Sequence, residues 1–530
     1  MFQSCDSLEE VKLNNFDISN LKDSSNMFIS CKALKYLDLS SFKSNQIENM
    51  SRMFQSCTSL TSLDISNLES DKVTDLSYFL YQCYSLKSIS LKKFNTKKVK
   101  NMLSMFSQCR SLTSLDITHF DTSNVETMKE AFANLEQLTS LDLTKFSTVK
   151  CNNMNYMFSG DKLLKELNLQ NFDTSLVTDM TRLFESCESV TSINLKSFNT
   201  KNVEIMSGMF ANCKSLLSID IRHFITAQVT SINSLFEKCS SLRSIDVSSI
   251  DTREVTSISN MFNNCASLTS IDIKHFNLTM VRDMSRLFNG CSKLKSVDLS
   301  GLNTESLVHM TFLFSDCISL EAVNLQGLKT SKVTSLYNVF RNCESLTTLD
   351  LSMFDTSEVR DLESAFKNCY SLESLDLSSF KTTKINSMPY AFDQCRSLKK
   401  LNLSSFETSQ IRRMDNLFTN CSSLESLDFS KFDTSKVTDM TYFFYNCSSL
   451  TSLNLNGFRT DNLVRMNYMF YSCSSLRNLD LHHFIWDNVL NYTDVFEGCN
   501  NLKLIVDISH FGELLRYLPD NVSYIDYKNN

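Results

Sequence analysis

The sequence predicts an α/β solenoid: one stack of about twenty coils of 26 residues, each carrying a strand and a short helix. Two observations predict it. Phenylalanine recurs at 2, 28, 54, 106, 132, 158 and 184 and onward at the same interval to 496, with Leu80 the one substitution. Cysteine follows three positions later, from Cys5 to Cys499, interrupted only by Leu135 and Asp161. The spacing never slips, and independent domains would not hold one register. Residues 1–499 are therefore read as one array whose first repeat is incomplete, and residues 500–530, where the register shifts by one, as a C-terminal cap and tail.

Each element follows from the columns, counted from the cysteine as zero. Leucine fills +3, as in Leu346, and apolar residues at +6 and +8 alternate with polar ones at +5, +7 and +9, as in Ser62, Leu63, Asp64, Ile65 and Ser66. That period of two marks a half-buried strand. A second phenylalanine column at +11 includes Phe16, Phe42, Phe94 and Phe120. Apolar residues then fall at +16, +19, +22, +23 and +26, as in Val177, Met180, Leu183, Phe184 and Cys187. Steps of three and four predict one face of a helix, with the preceding Asp, Thr and Ser as its caps and Pro389 near one helix start. The threonine column at +13, including Thr96, Thr122, Thr148, Thr174, Thr200 and Thr226, is read as part of that capping. Parallel strands about 4.8 Å apart would run roughly 90 to 100 Å, and thicker helices opposite them would bend the stack with its sheet on the concave side.

Composition agrees with a repeat protein and removes other classes. The chain of 530 residues has 8 Gly and 2 Pro against 39 Phe, 22 Met and 19 Cys, where average usage would give roughly 37 Gly and 26 Pro. Collagen-like, linker-rich and P-loop readings fall away. Net charge is −7 without a basic stripe, so a nucleic-acid partner is not expected. No run of 18 apolar residues is present, hence no predicted membrane span. The opening residues, Met1 to Asp6, lack the basic and apolar regions of a signal peptide.

The repeat Leu-x-x-Leu-Asp-Leu-Ser-x-Phe-Asp-Thr-Ser-x-Val-Thr-Asp-Met-x-x-Met-Phe-x-x-Cys resembles the BspA-like branch of leucine-rich repeats. Leu346, Leu349, Leu351, Phe354, Asp355, Thr356, Ser357, Val359, Phe366 and Cys369 carry the match. The resemblance implies a curved leucine-rich-repeat solenoid, and a scaffold used at bacterial and protist cell surfaces for adhesion and partner binding. The missing signal peptide and lipobox leave a cytoplasmic location as the alternative.

The columns suggest where function lies. Eighteen thiols in one column could be disulfides, metal ligands or nucleophiles, but no two cysteines lie within seven residues, and a slot that also accepts Leu135 reads as buried core. His119, His223, His275 and His483 share the +10 column and read as strand-end residues without a metal role. The repeats around 131–163, with Leu135, Asp161 and the displaced Cys151, read as drift, with a local partner site as the alternative. No catalytic motif or inserted loop appears, so an enzyme is not expected, and no cofactor is implied. The outward +7 column is the candidate binding stripe for a protein or other macromolecule: Asp220, Asp246, Asp272, Asp298, Asp350 and Asp376. Stacked carboxylates raise one another's pKa and attract cations such as calcium. Hydrogen bonds from flanking serines at +5 and +9, in a solvated ladder, are the simpler reading. The resulting expectation is a non-catalytic surface adhesin or recognition protein, with an intracellular assembly scaffold as the alternative.

Overall fold

The computed structural model describes residues 2–13, 16–511 and 514–529. The chain forms two compact units, residues 1–255 with 264–271, and residues 256–263 with 272–530. Both are built from successive turns of a β-solenoid, each turn one sequence repeat.

In the first unit, β1 (Glu10–Lys12) pairs in parallel with β2 (Tyr36–Asp38), and β3 (Ser62–Asp64) with β4 (Ser88–Ser90). In the second, β5 (Ser296–Asp298) pairs with β6 (Ala322–Asn324), β7 (Ser374–Asp376) with β8 (Lys400–Asn402), and β9 (Ser426–Asp428) with β10 (Ser452–Asn454). Register is that of the repeat: Leu375 faces Leu401, its equivalent in the next coil. At the C-terminal end, β11 (Asn478–Asp480), β12 (Leu502–Val506) and β13 (Val522–Asp526) form a parallel sheet, with Leu479 facing Leu504, one position short of the repeat. The repeat strands span only +5 to +7, shorter than the predicted alternation. In nine of these eleven strands an Asp or Asn at +7 accounts for it: its carboxyl or amide oxygen accepts the +9 backbone N–H, as Asp376 does from Ser378 at 2.8 Å, which diverts the chain out of the ladder; β1 and β4 end instead on Lys12 and Ser90.

The predicted helices do not form. Among the described residues the single α-helix is α1 (Ile508–Phe511), outside the repeats, joined by short 3-10 segments Leu514–Tyr517 and Tyr527–Asn529. The apolar columns sit where expected, since Val73, Leu76, Phe79, Leu80 and Cys83 are all fully buried, but the backbone connecting them is a run of turns. The Met50, Arg52, Phe54 and Ser56 amides donate to the carbonyls of Asp75, Ser77, Phe79 and Tyr81, all in the next coil. The intervening Met53, Gln55 and Cys57 amides bond back to the nearby carbonyls of Met50, Arg52 and Phe54. A helix would direct all of these amides within its own turn and leave neighbouring coils unlinked. The alternating pattern requires left-handed residues at +21 and +25, such as Arg52 (φ 55°), Ser56 (φ 60°), Tyr442 (φ 57°) and Asn446 (φ 56°).

The scarcity of glycine thus has a different origin from helix capping. Three columns of Asp or Asn accept the amide two positions ahead: +7, +12 (Asp173 from Ser175, 2.9 Å) and +18 (Asp75 from Ser77, 2.8 Å). Pro389, at +20, lies within the turn run, where its own carbonyl accepts the Ser364 amide at 3.0 Å.

The +13 threonines likewise have no helix to cap. They are buried and join consecutive coils: Thr356 Oγ1 donates to the Lys381 carbonyl at 3.0 Å and accepts the Lys381 amide at 2.8 Å. Thr174 does the same with Asn199, at 2.8 Å in both directions. Between the strands and turns run the two phenylalanine columns. Phe158 and Phe184 stack with centroids 5.7 Å apart, and Phe380 and Phe406 at 6.5 Å.

Candidate binding face

The strand side of each unit is where polar groups project. In β1, β3, β7 and β9 the +5 and +7 side chains are exposed while +6 is buried, and in the other repeat strands +5 is exposed with +6 or +7 half-buried. Asp220 and Asp246 belong to the first unit, and Asp272, Asp298, Asp350 and Asp376 to the second. Asp298 and Asp376 end the strands β5 and β7. The other four occupy the same register in coils without an assigned strand.

All six use Oδ1 to accept the +9 amide, with distances from 2.8 Å at Asp376 to 3.1 Å at Asp220. The partner that holds each carboxylate is thus at +9 and not at +5. Stacked carboxylates do raise one another, as Asp220 raises Asp246, but hydrogen bonds outweigh the effect. Hydrogen bonds from the Ser248 and Ser352 hydroxyls and amides hold Asp246 and Asp350 below the usual carboxylate range, and those from the Ser378 amide and hydroxyl do so for Asp376. Arg222 binds Asp220 through Nε at 3.0 Å and Nη2 at 2.9 Å, and holds it far lower. The Lys274 ammonium, 2.6 Å from Asp298, brings that group down to about 2. Asp220, Asp246, Asp298, Asp350 and Asp376 are therefore ionised at neutral pH, and the stripe carries cations of its own at +9 in Arg222 and Lys274. Each carboxylate keeps Oδ2 beyond the turn bond; Asp220 pairs its Oδ2 with Arg222 and Asp298 with Lys274.

The thiol column is core. All 19 cysteines are free thiols, and every one except Cys5 is buried. The buried thiols of the column point at a backbone carbonyl in the preceding coil, as Cys57 Sγ does to Phe28 at 3.1 Å and Cys109 Sγ to Leu80 at 3.3 Å. Burial pushes Cys109, Cys213 and Cys369 up to about 12, so these thiols keep their protons at neutral pH. Cys151 fills the +16 apolar slot, so the irregular repeats keep their packing. In the +10 column, Nε2 of His223 and His483 lies 2.9 and 2.8 Å from the carbonyls of Leu195 and Leu455.

Sequence reasoning missed an aromatic cluster on the turn side. Tyr442 stacks on Tyr468 at 4.9 Å and Tyr445 on Tyr471 at 5.0 Å, with edge contacts joining the pairs. Its signal was legible, since tyrosine stands at +21 and +24 in two successive repeats. The same +21 column elsewhere stacks guanidinium on rings, as Arg286 lies 4.4 Å above Phe312.

The sequence profile of one protein family, described as Mycoplasma protein of unknown function, DUF285, matches six overlapping stretches: residues 1–112, 61–143, 127–244, 215–324, 308–401 and 386–509. No curated relative matches the chain. Among solved structures, the chain is similar to a leucine-rich repeat protein from Bacteroides ovatus ATCC 8483, at 16% identity and TM-score 0.35, covering 91% of this chain and 88% of that one. It is also similar to a leucine rich cell surface protein from Faecalibacterium prausnitzii A2-165, at 23% identity and TM-score 0.34, covering 69% and 85%. The pneumococcal vaccine antigen PcpA gives 15% identity, TM-score 0.27 and coverage of 88% and 89%. No helix among the described residues is long and apolar enough to cross a membrane.

Proposed function

The chain belongs to the DUF285 family, and from that premise we propose that it is a non-catalytic scaffold of the BspA-like kind, binding a macromolecular partner at a cell surface through its strand-side Asp/Asn/Ser stripe. The observation that carries this reading is the set of +7 carboxylates, each oriented by a hydrogen bond from the +9 amide. A rigid row loses little side-chain entropy on docking, and its charge favours a partner with a basic face.

The turn bond makes the test clean. Asn168, Asn194, Asn324 and Asn402 accept the same +9 amide as the aspartates. Asp350→Asn with Asp376→Asn therefore removes two charges and keeps the turns. Binding of the purified chain to intact host cells should fall at least threefold, with an unchanged melting temperature and a weaker salt dependence. Undiminished binding removes the stripe from the reading. Antibody labelling of the source cells checks location: signal only after permeabilisation would favour the alternative, an intracellular assembly scaffold. Calcium is the lesser ligand, and a calcium-dependent rise in melting temperature abolished by Asp220→Asn, Asp246→Asn and Asp272→Asn together would bring it forward.

A further inference from the structure

The second unit carries a side-chain constellation that the stripe does not explain. At the end of β11, Asp480, His482 and His483 each offer a donor atom, and these atoms lie within 4.8 Å of one another. The sequence reading gave His483 no metal role, because its column neighbours lie repeats away. His482, however, is adjacent in the chain and stands at +9, where every other repeat that has an aspartate at +7 carries Ser, Thr, Arg or Lys.

His483 is fixed in one tautomer. Its Nε2 lies 2.8 Å from the Leu455 carbonyl, which only accepts, so the ring proton sits on Nε2 and Nδ1 carries the lone pair. That Nδ1 is buried and has no hydrogen-bond partner. A buried acceptor without a partner is costly and calls for an occupant. Donation of the second ring N–H to a backbone carbonyl is also how metal-binding histidines are oriented. His482 Nδ1 lies 2.7 Å from Asp480 Oδ1 in a hydrogen bond whose proton a bound ion would replace, while the His482 ring stacks on Tyr527 at 4.5 Å. Both side chains are part-exposed, Asp480 at 44% and His482 at 32%, so an ion can enter from solvent.

We propose that Asp480, His482 and His483 form a binding site for a divalent transition metal of the zinc class. Three donors, two imidazole and one carboxylate, suit zinc in type, and with bonds of about 2 Å they can converge on one ion, leaving a fourth position for water. His223 shares the column and the carbonyl contact of His483, but Arg222 occupies the +9 place and grips Asp220. It is the internal control.

The experiment uses the full chain without an affinity tag, stripped with chelator, then dialysed against zinc and, separately, titrated with cobalt(II) for its visible ligand-field bands. The wild-type chain and His223→Ala should bind one zinc tightly, show a histidine-carboxylate cobalt spectrum and melt at a higher temperature with zinc. His482→Ala and Asp480→Asn, both at part-exposed positions that leave the core intact, should weaken zinc at least tenfold and abolish the cobalt bands. Less than one zinc per wild-type chain overturns the proposal. Equal affinity in the wild type and the two variants overturns it as well, since the ion would then sit elsewhere.

Discussion

Asp161 stands in the thiol column, fully buried. Its Oδ1 accepts the Leu135 amide at 2.8 Å, and its Oδ2 has no partner. Burial pushes this carboxyl well above the ordinary range, so the folded chain keeps its proton to higher pH than the unfolded chain, which ionises it near pH 4. With the folded pKa raised, the unfolded state loses its proton first as pH rises, and stability falls from about pH 4 upward. Asp161→Cys, which restores the column, should stabilise the chain by roughly 1–3 kcal/mol at pH 7, and the gain should shrink toward pH 4. Urea melts at the two pH values check this; an equal gain at both would show that the carboxyl ionises inside the fold.

At the scale of the element, the turn run can be told from a helix by one residue. Ser56 has φ 60°, a region that β-branched residues avoid and glycine adopts freely. Ser56→Val should destabilise by about 1–2 kcal/mol and Ser56→Gly by a few tenths or less. In a helix the order reverses, with glycine the costlier of the two; thermal melts of the two variants decide it. The threonine row gives a second test. Thr356→Val keeps shape but strands the Lys381 amide and carbonyl, at a cost of roughly 1–3 kcal/mol. Thr356→Ser should lose far less, because serine already holds that column at Ser44 and Ser70, where Ser70 Oγ accepts the Asn95 amide at 2.7 Å. If Val and Ser were tolerated equally in chemical denaturation, the hydroxyl bridges would contribute nothing. The sequence made the apolar columns of this element legible, and Val73, Leu76, Phe79, Leu80 and Cys83 are all core. It could not reveal the path between them, because a 3-and-4 spacing is satisfied by a helix and by successive turns alike.

Across the whole molecule the Asp columns at +7 and +12 set the response to acid. Asp38, Asp64, Asp116, Asp142, Asp246, Asp350 and Asp376 at +7 are held below the usual carboxylate range by hydrogen bonds from the residue two positions ahead. Asp121, Asp251, Asp355 and Asp433 at +12 are held down in the same way. Depressed folded values contribute stability above the unfolded pKa near 4 and lose it as pH falls through the folded values. The melting temperature should therefore drop steeply below about pH 4, with the last part of the loss near pH 2, where Asp298 titrates. A flat profile between pH 4 and 2 would show that the turn bonds are as strong in the unfolded chain. Of the stripe proposed for binding, the sequence supplied the residues and their outward direction, since alternation alone decides which side of a strand each occupies. The cations beside Asp220 and Asp298, and the histidine pair beside Asp480, emerged only from geometry. By itself the sequence determined the repeat length, the register, the buried columns and the polar face, because those depend on side-chain period. Only the tertiary structure decided that the second half of each coil is turn and not helix. The alternate amides there bond to carbonyls of the next coil, as Met50 does to Asp75, and a partner so distant along the chain leaves no mark on local periodicity.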